Sequence, residues 1–294
     1  MRLPLLALAL AATAASAQPG WRSPVAGPSV SLDVLHGLGD DFDSEALDRQ
    51  GRPTRTETAR FTSVAVVVGA RVPVGRWTLV ADLPLSYAGL STAATGESPG
   101  GSEADLTVGN PYLGVEAAVR PGLAVGGGVR LPLVHYEEGG FVAPGRFGWD
   151  GGLTADPSRF EAYLPGVLTV SAEARYAALV GPVGLRLRLA PTYLAEVSDV
   201  GISGDPDRTG LALGYGALAD VGVRGATVTG GVVGQPVTGE WFGLFSIAAV
   251  AVAGVAVPVG PVRAGLGVRV PLDATDLFYQ ADATVGLRFD VPIR

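Results

Sequence analysis

The chain has 294 residues, 48% hydrophobic and 17% charged, with a formal net charge of −7, 43 glycines and no cysteine. The acidic balance disfavours nucleic acid as a partner, because phosphate binding needs clustered basic surface, and the missing cysteines exclude disulfides and thiolate metal sites. Glycine stands at about twice its usual share of roughly 7%, but hydrophobic residues are interleaved with it, which argues against disorder and for small residues inside curved strands.

Residues 1 to 17 read as a secretory signal, with Arg2 as the positive start, an apolar stretch from Leu3 to Ala12 and the small-residue site Ala15-Ser16-Ala17. Cleavage is expected before Gln18. No cysteine follows that site, so a lipid-anchored product is not expected. The remaining residues, 18–294, are read as a single domain.

Period-two alternation between turn signals predicts strands near 28–36, 61–73, 76–88, 104–119, 122–134 and 164–179. Six more are predicted near 184–196, 209–222, 225–236, 243–258, 262–272 and 278–291. The connections alternate in length. Val74-Gly75, Arg120-Pro121-Gly122, Gly181-Pro182-Val183, Arg224-Gly225 and Pro258 to Pro261 are short and carry the glycine or proline of tight turns. Segments 37–60, 89–103, 135–163 and 197–208 are long and polar, with shorter ones near 237–242 and 273–277.

Such alternation predicts an all-β fold, a transmembrane antiparallel up-and-down β-barrel of about twelve strands of the kind found in Gram-negative outer membranes. Ten and fourteen are the neighbouring counts, because residues 20–60 are weakly patterned. An even count puts both termini in the periplasm and the long loops outside. The charge-free run from Trp241 to Val262 has the length of a membrane helix. Its Gly243, Gly254, Pro258, Gly260 and Pro261, and the alternation from Ala249 to Ala253, favour a strand entering a turn instead.

Faces follow from the alternation. Leu185, Leu187, Leu189, Pro191 and Tyr193 point one way, Arg186, Arg188 and Thr192 the other, and lipid excludes a row of arginines. The same reading turns Val129, Leu131, Leu133, Leu266, Val268 and Val270 outward. Basic residues expected to line the lumen are Arg71, Arg130, Arg175, Arg186, Arg188, Arg263, Arg269 and Arg288; acidic ones are Asp82, Glu116, Glu173, Asp220 and Asp282. All 21 basic residues of the chain are arginine, whose planar fork pairs bidentately with carboxylates in such a lumen. Gly126, Gly128, Gly214, Gly216, Gly265 and Gly267 are expected to leave room there. Trp77, Tyr87, Tyr176 and Tyr193 fall on outward positions near strand ends, as an interfacial aromatic girdle requires.

The last strand, Gly286-Leu287-Arg288-Phe289-Asp290-Val291, resembles the terminal signal that barrel-assembly machinery recognises, although the chain ends on Arg294 instead of an aromatic residue. Residues 76–134 resemble the outer-membrane transporter family associated with the meta-pathway of phenol degradation. The order that carries the resemblance is Asp82-Leu83-Pro84-Leu85, Gly100-Gly101, the run from Asp105 through Asn110-Pro111-Tyr112 to Gly114, Pro121-Gly122-Leu123, and Gly128-Val129-Arg130-Leu131-Pro132-Leu133. The family's usual Pro-Thr-Gly after this strand is replaced by Leu133-Val134-His135. The resemblance implies a barrel that moves small hydrophobic or aromatic compounds. Arg71-Val72-Pro73, Arg130-Leu131-Pro132 and Arg269-Val270-Pro271 recur at strand ends and read as a local packing motif, proline ending the ladder.

Catalysis is not expected. His36 and His135 fall at outer strand ends, and a histidine beside Asp40, Asp41 and Asp43 could activate water, but no spacing matches a known outer-membrane hydrolase. Asp199, Asp205 and Asp207 lack the ligand order of a calcium loop. The expected partners are outer-membrane lipid, the barrel-assembly machinery and a small solute, with no cofactor and no metal. A non-conducting barrel plugged by arginine–carboxylate pairs or by residues 135–163 is the alternative to a channel.

Overall fold

The computed structural model describes residues 27–39, 42–47, 53–92, 101–134, 148–197, 208–239, 247–272 and 281–293. The signal sequence, His135 and the loop acids Asp40, Asp41, Asp199, Asp205 and Asp207 lie outside them, as does the side chain of Asp43. Fifteen strands are described: β1 (Ser29–Leu38), β2 (Phe42–Leu47), β3 (Pro53–Val74), β4 (Trp77–Thr92), β5 (Gly101–Val108), β6 (Tyr112–Arg120), β7 (Leu123–Arg130) and β8 (Val167–Val180), then β9 (Val183–Glu196), β10 (Thr209–Val223), β11 (Ala226–Gln235), β12 (Val237–Gly239), β13 (Ile247–Val259), β14 (Val262–Pro271) and β15 (Ala283–Pro292).

All pairings are antiparallel and join strands that are consecutive around the wall, β1 pairing β3, β4 pairing β6 and β11 pairing β13, and β1 pairs β15 from Ser29 opposite Pro292 to Leu38 opposite Ala283, which closes the ring. Closure leaves no lipid-facing strand edge around the ring's short-turn half, the condition a sheet must meet in hydrocarbon. β5 and β6 are one wall position, both pairing β4, and β11 and β12 are another, both pairing β10. The wall thus has twelve positions. β2 lies outside the count: it folds back on the first residues of β3, within a stretch expected to be loop.

Two predicted strands are shorter than expected, for one reason. The span 104–119 breaks at Gly109–Pro111, where the Gly109 amide bonds to the Pro84 carbonyl, and the span 122–134 stops at Arg130. A proline cannot donate to a ladder, so Pro111 and Pro132 end pairing on facing strands at the same height. The span near Trp241 is strand from Ile247, and the Gly260 turn, at φ 60, carries it into β14.

Alternation sorts the two faces. On β9, Leu187 is 50% exposed and Arg186 9%. Leu266, Val268 and Val270 lie outward on β14, with Arg269 buried between them. Trp77 and Tyr87, both exposed, are ten residues apart on β4. At about 3.3 Å per residue and a tilt near 40° that is roughly 25 Å along the barrel axis, the height of an apolar band between aromatic girdles.

Residues 135–163 were expected to be loop. Part of that stretch, with the residues just after it, folds inside the barrel: helix α1 (Gly148–Ala155) is followed by a 3-10 turn at Pro157–Ala162. Glycine-rich α1 has little helix propensity of its own, and packing decides its state. A Cβ at Gly151 would collide with the Tyr87 carbonyl, and one at Gly152 with the Tyr163 ring. The segment bridges the lumen. Phe160 and Leu164 pack against Val167, Leu194, Ala212 and Val237 on one wall, while Ala155, Ala162 and Tyr163 pack against Leu35 and Ala65 on the other.

Candidate functional site

The interior of the barrel carries two layers of charge. Nearer the short turns, a chain of alternating sign crosses β3, β6, β8 and β9. Arg71 donates to Glu116 at 2.5 Å, Arg175 pairs with the same Glu116 Oε2 and with Glu173 at 2.7 Å, and Arg188 meets Glu173 at 2.9 Å. Beside it, Arg186 grips Asp220 through Nε and Nη2 at 2.5 and 2.7 Å, and Thr229 donates to the same carboxylate at 2.5 Å. Arg263 donates to Thr227 at 2.8 Å.

The second layer fastens the inward segment. Asp156, fully buried, accepts from Arg159 Nε at 2.6 Å and from Arg269 Nη1 at 2.5 Å. Arg159 reaches on to Asp33 of β1 at 3.4 Å, and Arg288 of β15 joins Asp33 and Asp290. On the opposite side Arg130 meets Glu161 at 3.4 Å and lies over the Tyr112 ring at 5.4 Å. Burial by itself would raise the Asp156 pKa; the guanidiniums of Arg159 and Arg269 outweigh it and hold the carboxyl at about 2. Burial pushes Asp150 of α1 the other way, up to about 7, and its Oδ1 has no hydrogen-bond partner. The segment therefore carries one acid locked as an anion and one that prefers its proton.

Asn110 ties this segment to the break in the wall. Its amide donates to the Ala162 carbonyl at 2.6 Å, its Nδ2 to the carbonyls of Glu161 and Leu164 at 3.3 and 2.8 Å, and its Oδ1 accepts from the amides of Leu133 and Val134 at 2.8 and 3.0 Å. Arg130 Nη1 donates to its carbonyl at 3.1 Å. One side chain thus satisfies the backbone groups that lose ladder partners where β7 stops.

Between the two layers the free space is about 40 Å³, bounded by Asp82, Tyr112, Arg130, Arg159, Glu173 and Arg188. That holds water-sized occupants, not a ring-sized solute. Among the described residues the inward segment crosses the lumen at this height on apolar flanks and on polar contacts that can exchange for water.

Of the thirteen residues read from the sequence as lining the lumen, twelve lie on the inward face in these layers. Asp282 does not: it precedes β15 by one residue, is exposed at the rim of the long connections and meets no described cation, because the strand that would have turned it inward begins only at Ala283. The inward glycines at 126 and 128 do not leave space either. A Cβ at Gly128 would meet the Tyr112 ring and one at Gly126 the Glu116 side chain, so the glycines give room to neighbouring side chains. His36 lies on the outer face, its Nδ1 at 3.0 Å from the Ser63 carbonyl.

Asp33, Asn110, Asp156, Arg159, Glu161 and Asp290 are not among the residues read from the sequence as lining the lumen, although Asn110 and Asp290 stand in the runs that carry the resemblances. Asp33 and Asp290 occupy inward positions on the first and last strands, and parity alone could have found them. Asn110-Pro111 interrupts an otherwise alternating run, a visible flaw in a strand. Asp156, Arg159 and Glu161 sit where alternation has nothing to say.

Fold and interior together define a β-barrel of the outer-membrane type, with an inward-folded segment across its bore. An outer membrane channel from Pseudomonas putida F1 superposes on it with a TM-score of 0.57 at 12% identity, over 94% of this chain and 99% of its own. The toluene transporters TodX of P. putida and TbuX of Ralstonia pickettii align over 92% and 91% of this chain and 91% and 90% of their own, at 11% and 10% identity, with TM-scores of 0.49 and 0.46. No family model and no curated protein sequence matches the chain. The likeness to the P. putida F1 channel is one of fold, and it agrees with the barrel that the resemblance of residues 76–134 implied.

Proposed function

We propose that this protein is an outer-membrane channel for small solutes, hydrophobic or aromatic ones included, whose bore is closed by residues 148–164 and opens when they move. The carrying observation is the nature of the closure. A permanent plug is best built from apolar packing, whereas this one combines apolar flanks with a ring of ion pairs around Asp156, Arg269, Arg159 and Asp33. Replacing a buried ion pair by hydrophobic packing is often neutral or stabilising, so the ion pairs suit a contact that must release. In this reading residues 1–17 are removed on export, the assembly machinery reads the last strand, both termini face the periplasm and the long connections face outward. The twelve-position wall supports it, being wider than the eight-stranded barrel that side chains just fill and narrower than a sixteen-stranded porin.

Recording in planar bilayers tests the proposal. The wild type is expected to give brief, sparse openings, and Asp156→Asn longer and more frequent ones, because Arg269 and Arg159 lose their shared anion. Liposome uptake of benzyl alcohol, benzoate and a sugar of similar size then ranks the solutes. Silence from both proteins, correctly folded, would mean a non-conducting barrel.

A further inference from the structure

At the short-turn ends of β6 to β9, below the inward segment, lies a second cavity of about 280 Å³ that takes its lining from both faces of the wall. Its apolar side is Ala117, Ala118, Ala124 and Ala177, with Leu123 and the outward-facing Tyr176 and Leu187 at its edge. Arg71, Arg120, Arg175, Arg186 and Glu116 complete it. The charges do not balance. Asp220 occupies Arg186 bidentately. Arg71 and Arg175 converge on one oxygen of Glu116. Arg120, exposed at the β6–β7 turn, has no ion pair among the described residues.

Beside the Arg186–Asp220 pair, three lining guanidiniums therefore face one lining carboxylate, which Arg71 and Arg175 occupy and Arg120 does not touch. Even with Glu173 included, which takes a second bond from Arg175 and one from Arg188, cations outnumber anions. The rims repeat the imbalance: the short turns carry Arg76, Arg120 and Arg224 and no acid.

We propose that this mouth cavity is a binding site for a small monocarboxylate with a compact apolar body, its carboxylate between Arg120 and Arg175 and its body against the alanine wall. The volume lies just below the range of about 300 to 1,000 Å³ typical of sites for drug-sized molecules, which suits one ring or a short branched chain. Guanidinium is the natural partner for a carboxylate because its paired N–H groups match two oxygens, and its flat face accepts an aromatic ring. A cation of the same size would face net repulsion, and a neutral analogue would lose the charge-assisted bonds while keeping the wall.

The site needs the barrel but not the conduction proposed above, so direct binding tests it. Calorimetry on the full mature protein in detergent at low salt would compare benzoate, benzyl alcohol, benzylamine and acetate. The expected result is one saturable benzoate site, acetate and benzyl alcohol at least tenfold weaker, and no benzylamine binding. Arg120→Gln, on an exposed turn, should weaken benzoate about tenfold. Ala124→Leu, which fills the cavity and keeps every charge, should abolish binding in protein that still migrates as a folded barrel. Benzylamine binding as tightly as benzoate, full affinity in Ala124→Leu, or no benzoate binding to folded wild type would each overturn the site. A barrel that conducts without binding benzoate removes this inference alone; one that binds without conducting removes only the channel.

Discussion

Asn110 donates through Nδ2 to the Leu164 carbonyl at 2.8 Å, joining the interrupted wall between β5 and β6 to the last residue of the segment that closes the bore. The same side chain caps the amides of Leu133 and Val134. Asn110→Ala would take the side-chain partner from the Val134 amide and from the carbonyls of Glu161 and Leu164, while the Leu133 amide keeps its bond to the Leu131 carbonyl, and each unsatisfied buried group costs about 1 to 3 kcal/mol. The expected outcome is a folded barrel whose inward segment is loosened. Limited proteolysis near residue 164 should become faster in the variant, and bilayer openings should lengthen; unchanged cleavage would mean that water replaces the side chain without loss.

Asp150 makes closure depend on pH. Its carboxyl titrates at about 7 inside and near 3.8 when the segment is released. The native group thus holds a proton that the released group lacks between those values. The contribution to docking is complete below pH 4, declines as pH rises and is gone above about pH 7; at about 1.4 kcal/mol per unit it amounts to roughly 4 kcal/mol. Open probability should rise from pH 5 to pH 8. Asp150→Asn, neutral throughout, should flatten that profile near its low-pH level. Asp156, held at about 2, adds stability that is lost only as pH falls from about 4 through 2, so it leaves the range from 5 to 8 undisturbed.

The two faces of β9 should respond differently to charge. Leu187→Arg, on the exposed face, puts a guanidinium into hydrocarbon and should cost about 2 to 4 kcal/mol near the bilayer midplane; Val268→Arg on β14 should do the same. Arg188→Leu removes one of two cations on Glu173 and leaves Arg175 in place. Its cost should be smaller. Denaturant titration of protein refolded in lipid vesicles measures all three, and equal losses would contradict the orientation of the strands.

The wall was legible because each strand repeats one physical constraint. Leu185 to Tyr193 alternate with Arg186, Arg188 and Thr192, since lipid lies on one side and charge on the other, and twelve such runs close with the count read from the turns. That constraint fades where a residue faces neither lipid nor a neighbouring strand. Asp156 and Arg159 find Arg269 and Asp33 more than a hundred positions away in sequence, and no local pattern records such a meeting. Asp282 failed for the complementary reason: parity gave it a face, but the ladder that would have enforced the face ends one residue later.

The Asp156–Arg269 contact, at 2.5 Å and fully buried, sets how firmly the bore closes. Asp156→Asn takes their shared anion from Arg269 and Arg159 and leaves Arg159 on Asp33, and Arg269→Gln leaves Asp156 on Arg159 alone. Breaking a buried pair from one side costs about 3 to 5 kcal/mol, and here the cost falls on the closed state only, since water solvates both groups once the segment leaves. Asp156→Asn should open the channel more than Arg269→Gln, because it breaks both ion pairs of Asp156 while the other change breaks one. The double variant should open little more than Asp156→Asn alone, a coupling of about 0.5 to 3 kcal/mol for groups in direct contact. Open-probability ratios from the four proteins supply that coupling, and strict additivity would mean that the two residues act on closure separately.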